Sequence, residues 1–222
     1  MSLDPQLADW LRLCHAPGIG PIALRKLLAA FGLPHQVFTA SADALAAVVG
    51  DRMAHAVAGG APPSTVDRAL VWAEVPGRRI LTWIDTDYPQ ALLDTPDPPP
   101  LLYVEGRVEL LNRPAVAIVG SRNASVQGLA NAEAFARELS AAGLTIVSGL
   151  ALGIDGRAHR GGLDAAGSTI GVVGTGLDLV YPRRHRALFE AMRVDGAIVA
   201  DCPLGTPPLA GNFPRRNRLI SG

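Results

Sequence analysis

The side chains best suited to chemistry in this sequence are ones that grip rather than cut. After the apolar run AVAIV, residues 120–122 read Gly120-Ser121-Arg122, and a helix-like pattern begins soon afterwards. A strand that enters a glycine-bearing turn before a helix points backbone N–H groups at negative charge, and a guanidinium here adds to them. A second such stretch is GNFPRRNR (211–218), where Phe213 stands beside Arg215, Arg216 and Arg218. An aromatic face stacks a nucleobase for roughly 1–3 kcal/mol while guanidinium groups hold the phosphates, the pairing that suits single-stranded nucleic acid. A helix cap or an internally salt-bridged cluster would use the same residue types.

Hydrolytic, redox and nucleotide-binding motifs are missing. There is no Walker loop, no G-x-S-x-G elbow and no H-E-x-x-H. The dinucleotide fingerprint needs G-x-G-x-x-G after the first strand and an acid ending the second. Here the first loop offers Gly120 and then only Gly128, and the second strand ends in Ser148-Gly149. Asp155 and His159 stand four apart on an expected helix and can share a face. Without a third ligand or an obvious nucleophile they read as a capping Asp and a surface or packing His. Cys14 and Cys202 are far apart, with no metal-ligand spacing, and read as reduced thiols of a cytoplasmic protein. The expectation is a protein with no catalytic residue, no metal and no cofactor. The competing reading is a Rossmann-like enzyme acting on a nucleotide monophosphate, with Asp155 or Asp178 as its carboxylate; a purely structural assembly protein is a third.

The elements that must position these residues follow from the punctuation. From residue 115 the order is strand AVAIVG, helix 126–142, strand LTIVSG (144–149), helix 156–166, strand STIGVVG (168–174), helix 183–193 and strand AIVAD (197–201). In the first helix Leu129, Ala132, Phe135, Ala136 and Leu139 recur at helical spacing, with Gly143 placed to end it. Apolar strands without alternation, separated by helices, predict a Rossmann-like α/β domain whose parallel sheet is covered by helices on both faces. Ligands in such sheets sit beyond the carboxyl ends of the strands. Those ends are GSRNAS (120–125), SGLALGID (148–155, with Ser148 and Gly149), GTGLDLVYPRRH (174–185, with Gly174 and Gly176) and DCPLGTPPLAGNFPRRNR (201–218). Together they predict a small-residue floor ringed by guanidinium groups.

Upstream, residues 5–60 read as short helices. LRLCHAPGIGPIALRKLLAAFG (11–32) resembles a helix-hairpin-helix, with Leu24, Leu27 and Leu28 on one side of its second helix and a weaker echo at 44–57. Residues 59–66 read as a linker, 65–75 as a helix, 79–84 and 101–106 as strands, and DTPDPPP (94–100) as irregular because successive prolines remove donors. The expected domains are 1–75, all-helical, and 76–222, α/β. The chain has 222 residues, 49% of them hydrophobic, so it can bury a core. No apolar run reaches the roughly 18 residues that span a bilayer. The N-terminal MSLDPQLADW has no basic segment, which predicts no signal peptide. Net charge is zero, yet residues 1–110 hold 8 basic and 12 acidic side chains and residues 111–222 hold 12 and 8. Lys26 is the only lysine, so the positive charge sits on Arg, the side chain suited to bidentate phosphate contacts.

GSR at 120–122, SGLALGID at 148–155, GTGLDLVYP at 174–182 and FPRRNRLISG at 213–222, in this order, resemble the DprA/Smf family of bacterial DNA-processing proteins. The lead-in at 85–106 and the helical module, which the family carries as a SAM-like or helix-hairpin-helix domain, extend the likeness over nearly the whole chain. The resemblance implies cytoplasmic single-stranded DNA binding during natural transformation, protection of incoming DNA, loading of RecA and a homodimer. It implies that Arg122 and the arginines of FPRRNR face DNA, with Arg183 and His185 in the same basic pocket. It also implies that the α/β domain is incomplete at its C-terminus, since the family's domain continues past this motif. Where the family carries Ser-Glu, this chain has Ala200-Asp201, an acid one methylene shorter.

Overall fold

The computed structural model describes residues 5–222; residues 1–4, part of the expected helical domain and of the stretch read for a signal peptide, lie outside them. The chain divides into two units, one holding the described residues up to Val75 with Pro99–Leu101, the other Pro76–Pro98 with Leu102–Gly222.

The first unit is all helix: α1 (Pro5–Cys14), α2 (Pro21–Phe31), α3 (Pro34–Thr39), α4 (Ala42–Val49), α5 (Asp51–Gly59) and α6 (Pro63–Ala73). Gly18 (φ +78°) takes a positive-φ conformation in the turn between α1 and α2, which glycine adopts without a side-chain clash. Gly50 (φ +81°) stands between α4 and α5, which pack on each other, whereas α1 packs on α3 and α6 and α2 on α3 and α4. Leu13, Leu24, Leu27, Val37, Leu45 and Val57 share one buried cluster, each side chain contributing roughly 1.5–3 kcal/mol of apolar burial. The expected linker is shorter than 59–66, because Pro63 starts α6, where its missing N–H costs nothing.

The second unit is a six-stranded sheet in the order β1-β2-β6-β5-β4-β3, from β1 (Arg78–Thr82), β2 (Leu101–Gly106), β3 (Ala115–Ala117), β4 (Thr145–Ser148), β5 (Thr169–Val172) and β6 (Ala197–Ala200). The helices are α7 (Gln90–Leu93), α8 (Val126–Ala141), α9 (Ile154–Leu163), α10 (Arg186–Asp195) and α11 (Asn212–Ser221). The α/β expectation holds, with one correction. β3, β4, β5 and β6 are parallel neighbours, but β2 joins β6 antiparallel, Tyr103 opposite Ala200, which makes the sheet mixed.

Alternation along the strands assigns the faces. Ile170, Val172, Ala197 and Val199 pack with Leu92 of α7, Leu110, and Leu219 and Ile220 of α11. Ile146 points the other way, onto Ala136 of α8 and Ala158 of α9. A side chain on Gly161 would strike the α8 backbone at Glu133, so glycine lets α8 and α9 lie close together. Two expectations fail at the sheet's edge. Phe135 is 65% exposed, while Ala132 and Ala136 form the buried stripe of α8. β3 is three residues long, with Ala115 and Ala117 exposed, because it is the last strand of the order.

Candidate functional site

The turn after β3 and the loop after β4 lock together. Gly153 (φ +84°) sits so near that turn that a side chain would strike the Ser121 carbonyl, which accepts the Ile154 N–H at 3.2 Å. Ser121 Oγ accepts the Asn123 N–H at 3.1 Å, closing the turn, and Ser125 caps α8 through the Gly128 N–H. Arg122 is left exposed, with no acidic partner among the described residues; its guanidinium stands 5.9 Å from the Phe213 ring centre. Tyr181 packs on the same ring at 5.7 Å.

Beneath lies a buried polar frame. Asp155 Oδ2 accepts the N–H groups of Gly149 (3.2 Å) and Ala151 (3.3 Å). Burial pushes its carboxyl up, against the pull of the Ala151 amide and Arg216. Leu150 is held in the left-handed region (φ 58°), a conformation that costs an L-residue roughly 1–2 kcal/mol. Two histidines hold its peptide. The Leu150 N–H donates to His159 Nε2 (3.2 Å), and its carbonyl accepts from His185 Nδ1 (3.0 Å). His159 Nδ1 therefore carries the proton and donates to Thr169 Oγ1 at 2.7 Å. Burial holds His159 down to about 3, so it is neutral. Asp155 and His159 thus both brace the loop after β4, and Asp155 also lines the cavity below Arg122; among the described residues no group of three His, Cys, Asp or Glu could hold a metal. Asp178, the other candidate acid, braces a loop by accepting the Gly205 N–H at 2.7 Å.

The stretch 211–218, expected as loop, instead opens the helix α11 (Asn212–Ser221), with Gly211 as its N-cap and Pro214 in its first turn, where no N–H is needed. Helical rotation then separates its arginines. Arg216 is buried and donates to the Val172 carbonyl at 2.7 Å; burial lowers its pKa, and its Nε has no protein acceptor. Arg218 bonds the Asp201 carboxylate (2.8 Å) and the Asp97 carbonyl. Arg215 is half-exposed, 3.5 Å from the same carboxylate. The clamp of three arginines expected from one loop is therefore three different environments.

Gly120, Arg122, Phe213, Arg216 and Arg218 converge on a cavity of about 850 Å³, with Tyr181 at its rim. A smaller pocket behind it is lined by Gly149, Gly174, Arg216 and Thr175, whose buried hydroxyl also has no partner. Gly174 admits the α11 turn, since a side chain would lie 3.1 Å from Phe213. Ser148 and Gly176 stay outside. Ser148 is buried and donates to the Ile118 carbonyl at 2.5 Å, and Gly176 makes room for Asp178 and Gly205. Arg183 is exposed on the one-turn helix 183–185, and His185 lines a separate groove behind Arg122. Tyr181 escapes a reading of the sequence alone; its signal is an aromatic in a strand-end loop.

A small-residue cavity beyond the carboxyl ends of a Rossmann-like sheet, lined by arginines, an aromatic pair and Asp155, stands where sheets of this class hold their ligands. The family model of DNA recombination-mediator protein A matches residues 79–222, and the chain belongs to that family, as the sequence resemblance implied. Protein Smf of Synechocystis is 38% identical, over 99% of this chain and 56% of its own length. The chain spans about half the length of the curated relatives it matches. The X-ray structure of DNA processing protein A from Streptococcus pneumoniae superposes with a TM-score of 0.78 at 30% identity, covering 96% of this chain and 74% of that one. DNA processing protein A from Helicobacter pylori, whose structure gives insight into a single-stranded DNA binding mode, matches with a TM-score of 0.57 at 32% identity over 64% of each chain.

Proposed function

We propose that this chain holds single-stranded DNA in the cavity below Arg122, as a binding protein and not an enzyme. The observation that carries the reading is Arg122 itself: an exposed guanidinium without an acidic partner among the described residues, poised beside the Phe213–Tyr181 pair. Such a pair offers a stacking face to a base while Arg122 takes a phosphate. Arg216, buried behind with an unfilled Nε–H, adds positive potential to the floor. Because phosphate contacts carry no sequence information, binding is salt-dependent and nearly sequence-blind. Duplex, whose bases are not free to stack, binds more weakly.

The alternative, turnover of a nucleotide monophosphate, is disfavoured because Asp155 and Asp178 already accept backbone N–H groups. Metal-supplemented protein is expected to leave phosphodiesters intact; cleavage that disappears in Arg122→Ala would overturn this. The family resemblance extends the reading to a cytoplasmic role in natural transformation: protection of incoming DNA, loading of RecA, and a homodimer. No described helix is long and apolar enough to cross a membrane.

The test is fluorescence anisotropy of labelled oligo-dT at low and high salt. Wild type binds more weakly as salt rises. Arg122→Ala weakens binding roughly tenfold, the size of one charge-assisted hydrogen bond, and its salt slope is shallower by about 0.7 for each phosphate no longer neutralised. Unchanged affinity in Arg122→Ala would remove the reading.

A further inference from the structure

A second concave surface opens behind Arg122. It encloses about 370 Å³, and its lining includes Arg122, Asn123, Gly156, Arg157, Arg160 and His185. These come from the turn after β3, the first two turns of α9 and the one-turn helix 183–185. Arg157 and Arg160 are three apart and share a face of α9. The acid facing them is Glu133 of α8, which binds Arg157 at 2.8 Å and also reaches Arg137 at 3.7 Å. Arg160 is exposed and has no ion-pair partner among the described residues. The His185 ring lies over Gly156, where a side chain would sit 2.9 Å from Nε2, so the wall of the groove depends on that glycine. The groove thus keeps positive charge beyond what its own acid neutralises. Arg122 is the wall it shares with the large cavity, and a guanidinium has five N–H donors, more than one phosphate uses.

We propose that this groove is a second phosphodiester subsite, in which the strand seated beside Phe213 passes Arg122 and lays its next phosphates along Arg157 and Arg160. This rests on the reading of the large cavity as a single-strand grip. It makes the site several nucleotides long, so a trinucleotide fills the cavity alone while a long strand uses both.

The experiment compares wild type with Arg122→Ala, Arg160→Ala and Arg137→Ala, titrated with a long oligo-dT and with a thymidine trinucleotide at two salt concentrations. Arg137, which does not line the groove and pairs chiefly with Asp164 (2.9 Å) and less closely with Glu133 (3.7 Å), controls for loss of one positive charge. Arg160→Ala is expected to weaken the long strand roughly tenfold, to lower its salt slope by about 0.7, and to leave the trinucleotide unchanged. If Arg160→Ala behaves like Arg137→Ala on the long strand, the second subsite is wrong while the cavity reading stands. Equal losses on both oligonucleotides would also refute it, because the groove would then belong to the first site. If Arg122→Ala binds both like wild type, the cavity reading fails and the subsite with it. Inorganic phosphate shifting the Arg160 Nε–H resonance saturably, with no shift from the long strand, would make the groove a small-anion site and overturn the proposal.

Discussion

Arg215, Arg216 and Arg218 stand within four positions of one another and differ in what they can do. Arg218 is mostly covered and bonds the buried Asp201 carboxylate; Arg215 reaches the same carboxylate from a half-exposed position. Arg218→Ala is therefore expected to cost about 3 kcal/mol in urea unfolding, whereas Arg215→Ala stays within about 1 kcal/mol, as exposed pairs do. Equal costs would mean that Asp201 does not depend on Arg218. His159 makes a second prediction at this scale. Its folded pKa of about 3 lies below the unfolded value of about 6.5, so between them the unfolded chain binds a proton that the folded chain refuses. Stability is intact above the unfolded value and falls as pH drops through it, by up to about 1.4 kcal/mol per pH unit for this group. His15, lowered by burial to about 4, acts in the same direction in the helical unit. Urea midpoints at pH 7 and 5 should show the loss, and His159→Gln should flatten it. An unchanged slope in that variant would contradict the burial account.

At the scale of elements, the site is made where α8 and α9 begin. Gly161 brings their backbones together, and Gly153 lets the α9 turn clasp the carbonyl of Ser121. Gly153→Ala adds both a positive-φ penalty, roughly 1–2 kcal/mol, and a collision with that carbonyl. It should lower stability and move Arg122, weakening oligo-dT binding even though every residue lining the cavity is unchanged. Full retention of affinity would mean that the turn does not set the guanidinium. The strands and helices from 115 to 201 were legible in the sequence because apolar runs and glycine breaks repeat there. α11 was not, because Gly211 and Pro214 read as loop signals, and only their positions, Gly211 at the N-cap and Pro214 in the first turn, make them compatible with a helix. The antiparallel joining of β2 to β6 left no local mark, since pairing partners 97 residues apart (Tyr103 with Ala200) carry no shared pattern.

At the scale of the molecule, counting arginines in the sequence located the basic half but not the charge that is free to bind. Of the seven arginines between 181 and 218, Arg193, Arg215 and Arg218 are ion-paired and Arg216 is buried. The exposed arginines without acidic partners among the described residues include Arg122, Arg160 and Arg183, and pairing that only the fold creates decides which these are. Gly120, Arg122 and Phe213 were readable as candidates from residue type alone, and the fold places them on one cavity; Tyr181 and the α9 arginines needed the fold to bring them near. The most direct test of where a strand sits is photocrosslinking of oligo-dT carrying 5-iodouracil, followed by peptide mapping. The account predicts crosslinks at Phe213 and Tyr181 that excess unlabelled oligo-dT competes away. Crosslinks confined to the Gly18–Gly20 hairpin of the helical unit, with none at Phe213 or Tyr181, would contradict it.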